Sequence, residues 1–448
     1  MNERLSLLFR QAVYNLRGGF LVRPLIIALT LGCAGAVFSW AEEALPAISS
    51  WVPAILFPSR ADPQVAQVIL SSIATSIMTV VSIVFAILLM TLTLASMQFS
   101  PRIILSFTRD RVTQWTLGIF LGTFLYCMAA LPAARSQPTS FSPVATVLGA
   151  ILLALACVCW LLYFIHHVSQ SISVNQIVDK IASETDAMIT EMMPAPRREH
   201  FVLTHDPLSG QRLDSPILSD RSGYIRFVDL ERLLALATSY RIAVQVLRRV
   251  GHFVPASVPI MMVSKPERLP PGGTALLLGA FDLGPSRTLQ QDVEFGVLQI
   301  VDIALRAISP AVNDPSTAIS CVDQLSRILI QFAAREPPES VRYDRAGVAR
   351  VSMGWIDFER LLDSAFEQIR LYSVSDVAVS LRMLRALGDI ARTTADLEFR
   401  RTLAERGRRI VAGCTTRLGE EGLKEMRSRL GALQSMVDRH DAPASAAS

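Results

Sequence analysis

Nine hydroxyl side chains stand on one apolar stretch of this chain: Ser71, Ser72, Thr75, Ser76, Thr79, Ser82, Thr91, Thr93 and Ser96. Placed at 100° per residue, all but Thr91 fall within an arc of about 160°. Hydroxyl dipoles can coordinate an ion in a membrane path. They can also let two helices pack closely. Ser72, Thr75, Ser76, Thr79, Ser82 and Thr93 are therefore pore-lining candidates, with a helix-packing seam as the alternative. No charged residue lies between Asp62 and Arg102. That speaks against proton-coupled transport, which needs buried titratable relays, and leaves a passive path open.

A second set of polar residues lies outside that stretch. Gln98 and Arg102 stand at its C-terminal end; Arg287, Asp292, Asp302, Arg306, Asn313 and Asp314 follow far downstream. A helix expected over 288–308 would place Gln291, Asp292, Gln299, Asp302 and Arg306 within about 100° of one another. Asp302 and Arg306 are four apart and can pair along it. Asn313 or Asp314 can cap the next helix, with Pro315 in its first turn. A buried ion pair with a capped turn is one reading; a contact between protomers, or an ion or ligand vestibule, is the other.

Catalysis finds no support in these residues. The acids have no neighbouring histidine, and no spacing makes a metal set. The six cysteines, Cys33, Cys127, Cys157, Cys159, Cys321 and Cys414, lack the paired spacing of a zinc site. Gly272-Gly273, Gly279 and Gly284 do not form a phosphate-binding loop. Adjacent His166 and His167 would point about 100° apart on a helix, so interface anchoring fits them better than joint ligation. Neither an enzyme nor a cofactor is expected.

The hydroxyl-bearing stretch belongs to a set of membrane helices. Hydrophobic residues make up 51% of the chain and charged residues 18%, with a mean hydropathy of +0.39, against about 25% charged in soluble domains. Four stretches, about 24–40, 65–99, 112–131 and 144–165, have the roughly 20 apolar residues that span a bilayer. Arg4, Arg10, Arg17, Arg23, Arg102, Arg109 and Arg111 flank one side, against Arg60 and Arg135 on the other. By the positive-inside rule both termini are cytoplasmic. The second stretch runs between Pro63 and Pro101, roughly 55 Å as a helix at 1.5 Å per residue. That exceeds the ~30 Å hydrocarbon core. A net charge of +4 does not suggest nucleic acid.

The expected organisation is a four-span transmembrane domain (1–165), a helical stalk (166–198), a small β-rich module (199–285), a helical domain (286–440) and a disordered tail (441–448). Strands are expected at 216–218, 224–228, 242–247 and 258–263, with a helix from 229 to 239 capped by Asp229. Ser222-Gly223-Tyr224 and Gly251-His252-Phe253 suggest the turns of a barrel-sandwich like a biotinyl carrier. No lysine occurs between Lys180 and Lys265, so a carrier role fails and a structural module remains. Arg400, Arg401, Arg406, Arg408 and Arg409, mixed with Glu398 and Glu405, suggest a solvated helix face.

Gln98-Phe99-Ser100-Pro101-Arg102 at the end of the long stretch is followed downstream by Arg287-Thr288, Gln291-Asp292, Phe295-Gly296, Val301-Asp302-Ile303-Ala304, Ser309-Pro310 and Asn313-Asp314-Pro315. Together with four preceding spans, these resemble the membrane-protein family catalogued as domain of unknown function 2254, over roughly residues 10–430. The resemblance implies a bacterial inner-membrane location and this topology, and no reaction. The expectation is an α-helical membrane protein with a cytoplasmic α+β part: a homo-oligomer in the lipid bilayer, acting as a passive ion or small-solute channel. A membrane-anchored sensor or scaffold is the rival.

Overall fold

Among the described residues, four helices before residue 174 are long and apolar enough to cross a membrane. The computed structural model describes residues 22–45, 62–98, 110–135, 141–171, 173–193, 212–415 and 419–441. Two units separate at Ser173/Val174. In the first, α1 is Val22–Ala44, α2 Pro63–Gln98, α3 Arg111–Ala130 and α4 Val144–Ser171. Asp110 caps α3, accepting from the Thr113 amide at 2.9 Å and its hydroxyl at 2.7 Å. Arg102, the tail beyond 441 and most of the basic flanks lie outside the described residues.

Small residues bring α1 and α3 together. Gly118 and Gly122 lie four apart on α3, so one face lets a neighbouring backbone approach. A Cβ at Gly122 would stand 2.4 Å from Leu31 Cδ1, and one at Gly35 of α1 2.6 Å from the Tyr126 carbonyl oxygen. Glu42, fully buried near the end of α1, completes the bundle. Its carboxylate accepts from the Ala145 amide (2.8 Å), the Thr146 amide (2.9 Å) and the Thr146 hydroxyl (2.8 Å). The acid thus satisfies the open donors of α4 at its positive end.

The second unit opens with α5 (Val174–Met192), then β1 (Ser215–Leu218), β2 (Gly223–Val228), α6 (Leu230–Tyr240), β3 (Val244–Val246), β4 (Phe253–Val254), β5 (Pro259–Val263), α7 (Gly273–Leu278) and β6 (Phe281–Gly284). It continues with α8 (Val293–Ala307), α9 (Pro315–Ala333), β7 (Val341–Tyr343), β8 (Ala349–Met353), α10 (Phe358–Tyr372), α11 (Val377–Thr393), α12 (Leu397–Cys414) and α13 (Glu420–Asp441). Asp229 caps α6 through the Arg232 amide at 2.9 Å, as its sequence position suggests.

The strands form a five-stranded sheet, order β1-β5-β3-β8-β7, and a three-stranded sheet, order β4-β2-β6. Val228, Leu233, Val244, Ile260 and Val351 share one core beneath both. The β7–β8 hairpin, inside the stretch read as helical, turns at Gly347 with φ 77°. β8 then pairs parallel with β3, so strands from both sides of residue 285 build one sheet. Segment 166–198 is likewise not a single stalk: α4 ends at Ser171, and α5 packs its apolar face on α8 and α9. Arg406 is not on a solvated face either. It is buried, and donates to Asp363 at 2.6 Å and Glu359 at 2.9 Å.

Replacing Gly35 with Ala should cost about 1–3 kcal/mol, the range for overpacking a filled contact, because the clash is with backbone. A lowered melting temperature in detergent would register it. Gly431→Ala, where nothing lies within 4 Å of the added methyl, should be neutral or slightly stabilising.

Candidate functional site

Of the residues proposed to line a path, Ser72, Thr75, Ser76, Thr79, Ser82 and Thr93 are all exposed. The buried side of α2 is Ala66, Leu70, Ala74, Ile77, Val81 and Val84, packed on residues of α3 and α4. At 100° per residue the two arcs are centred roughly 165° apart. Hydroxyl hydrogens turn back to the helix: Thr75 donates to the Ser71 carbonyl (2.9 Å), Thr79 to Thr75 (3.0 Å), Ser82 to Met78 (3.0 Å) and Thr93 to Leu89 (2.8 Å). Each such oxygen keeps acceptor capacity. A packing seam inside one protomer is therefore not where the hydroxyls lie.

In the second unit a charge network forms where α8 begins. Asp292 is the N-cap of α8 and accepts from the Phe295 amide at 3.1 Å. Its carboxylate also takes a two-pronged bond from Arg287, Nε at 2.7 Å and Nη2 at 2.8 Å, the fork geometry that suits a guanidinium. Glu294 accepts from Arg287 (3.1 Å), Arg249 (3.0 Å) and the Ser364 hydroxyl (2.9 Å). Arg249 Nε donates to His252 Nε2 at 2.9 Å. The arrangement needs Gly251, at φ 88°, because a Cβ there would meet Asp292 Oδ2 at 2.3 Å.

Burial would raise the Glu294 carboxyl, but Arg249, the Ser364 hydroxyl and Arg287 outweigh it and hold the group below its ordinary value. Burial and the surrounding guanidiniums, Arg249 first, push the His252 imidazole down. Beside the network is a cavity of about 30 Å³, walled by Trp355, Ile356, Val293 and Phe332. It has room for one or two waters.

The downstream candidates do not form a single cluster. Arg287 and Asp292 meet, but Asp292 precedes the helix rather than riding on its face, and Gln291 instead bonds the Val228 amide at 3.0 Å. The helix starts five residues later than periodicity suggests, because Asp292 caps it. Asp302 is half-buried along α8 and Arg306 is exposed in its last turn, roughly 20 Å from Asp292 at 1.5 Å per residue. Asn313, at φ 48°, leads into α9. Asp314 caps that helix, accepting from the Thr317 amide at 3.1 Å and its hydroxyl at 2.6 Å. Gln98 is the final residue of α2. His167 approaches Asp110 at 3.1 Å and stacks on Tyr163, while His166 bonds Gln170 at 3.0 Å. Among the described residues no metal-holding group of acids, histidines and cysteines occurs.

Four helices fit to cross a membrane, with a sheet-containing C-terminal part, define a multi-span membrane protein carrying a large mixed α/β unit. The chain belongs to the family described as Predicted membrane protein (DUF2254), whose profile matches residues 17–389. An uncharacterized protein of Mycobacterium bovis and one of Mycobacterium tuberculosis are each 33% identical to it over 397 residues, 86% of this chain and 74% of theirs. No solved structure matches the chain.

Glu294→Gln keeps the size of the side chain and removes the charge between two arginines. Stability at pH 7 should fall by about 3 kcal/mol, the low end for breaking a buried pair. Because the Glu294 carboxyl is depressed in the fold, its contribution is complete above its unfolded value near 4.5 and is lost as pH falls through the folded value. Unfolding followed from pH 5 to 2 should therefore show a smaller acid-side loss in the variant than in the parent.

Proposed function

We propose that the protein is a homo-oligomeric passive channel for an ion or small solute, with α2 of each protomer around the axis. The observation that carries this reading is the outward hydroxyl arc of Ser72, Thr75, Ser76, Thr79 and Ser82. Polar side chains at membrane depth normally face a bundle interior or water. Their oxygens offer weak, repeated acceptors, which suits a path an ion must leave as easily as it enters. Toward the C-terminus the same face carries Ile83, Ala86 and Met90, all exposed. An apolar stretch of this kind can gate a pore by dewetting.

In this reading the membrane is the bacterial inner membrane and both termini are cytoplasmic, on the strength of seven flanking arginines against two. The second unit is then a cytoplasmic vestibule or gate, and no reaction or cofactor is assigned to it. A membrane-anchored sensor or scaffold is the second reading. It is favoured by the charge network at the start of α8, which a pore does not require.

Cysteines placed at Ser72, Thr79 and Ser82, with the exposed Cys33 and Cys159 replaced, should cross-link between copies. Ile77→Cys, on the buried face, should not. In planar bilayers the purified protein should conduct, and Ser72→Val with Thr79→Val should change its selectivity. Absent conductance across varied ions, pH and tension, with cross-links only from the Ile77 face, would replace the channel by the scaffold.

A further inference from the structure

The charge network has an open side that neither the pore nor the packing uses. Arg249 Nε can only donate, so at 2.9 Å His252 Nε2 must be the acceptor. Burial and neighbouring guanidiniums keep the ring neutral, and a neutral imidazole with an accepting Nε2 carries its proton on Nδ1. That Nδ1–H has no partner among the described residues.

Two further guanidiniums act on the same ring, those of Arg248 and Arg360. Arg248 precedes Arg249 in the chain, and Arg360 lies one helical turn before Ser364, the residue that donates to Glu294. Both are exposed, and neither side chain has a hydrogen-bond or ion-pair partner among the described residues. The nearby carboxylates are engaged elsewhere. Asp292 and Glu294 receive Arg287 and Arg249, Asp357 caps α10 through the Arg360 amide at 2.7 Å, and Glu359 accepts from Arg406 at 2.9 Å. The charges acting on the ring thus include three guanidiniums, Arg249, Arg360 and Arg248, against the carboxylate of Glu294, beside an unused N–H.

We propose that His252, Arg248 and Arg360 form a binding site for a phosphate-type oxyanion, free or carried by a larger molecule. Fork-shaped guanidinium donors match the oxygens of a phosphoryl group, and the imidazole N–H supplies a fixed third donor. Arg249, braced by Glu294, holds the imidazole's orientation and acts as a positioning residue. The adjoining cavity of about 30 Å³ holds only water, so any carbon-bearing part of the ligand stays outside. The site is independent of the channel reading and stands whether or not α2 lines a pore.

Full-length protein in phosphatidylcholine nanodiscs, titrated calorimetrically with inorganic phosphate and separately with ADP, tests this. Saturable binding is expected. It should weaken at least tenfold in the Arg248→Gln, Arg360→Gln double variant, which touches no internal bond and should keep the parent melting temperature. His252→Gln should also weaken binding. Repeating the titration with phosphatidylglycerol in the disc assigns the source. Loss of the phosphate heat there marks a lipid headgroup as the ligand, and an unchanged heat marks a soluble one. No saturable binding of either probe at tens of millimolar, or identical binding by the double variant, overturns the proposal.

Discussion

α2 has two faces of opposite character, and its own protomer can cover only one. Ala66, Leu70, Ala74, Ile77, Val81 and Val84 fill the inner side against the neighbouring helices. The glycine contacts between α1 and α3, and the Glu42 cap on α4, lock those neighbours in place. What is left outside is a helix side rich in hydroxyls from Ser71 to Ser82, with apolar Ile83, Ala86 and Met90 beyond them. The first unit fixes this division before any second copy is considered, and the channel reading grows out of it.

The second unit applies a different rule to its polar groups. Here charges are taken out of water, and each buried one is paired: Asp292 and Glu294 with Arg287 and Arg249, and Arg406 with Asp363 and Glu359. Pairing of this sort adds little net stability over apolar packing, while loss of one partner is costly. The network's contribution is to define geometry. It joins the turn before β4, the start of α8 and the face of α10 through one carboxylate, Glu294. At its edge His252 is half-buried, and Arg248 and Arg360 are exposed.

Local patterns made some of this legible in the sequence. Apolar length located the four described helices fit to cross a membrane, Asp229 announced its cap, the second cap lay between Asn313 and Asp314, and strands expected at 224–228 and 258–263 exist. Long-range geometry stayed hidden. Glu294 meets Arg249 across 45 residues and Ser364 across 70, separations that no periodicity reports. The β7–β8 hairpin was masked by strongly helical sequence on both sides, and its pairing with β3 depends on tertiary contact. Asp292 looked like part of a helical face because a cap residue can share the period of the helix it starts. Glu42 had a readable signal in hindsight, the first of two adjacent carboxylates at the end of an apolar run. Its partner, the start of α4, lies 103 residues away.

The claim on which this account rests most is that the outer arc of α2 meets water rather than lipid in the assembled protein. Single cysteines at Ser72, Thr75, Thr79 and Ser82, and at the exposed apolar positions Phe85 and Leu155 outside the arc, can be treated in native membranes with a charged, water-soluble thiol reagent. Modification along the hydroxyl arc is expected at rates well above those at Phe85 and Leu155. Equal protection at all six positions, with reaction only to a membrane-permeant reagent, would contradict it.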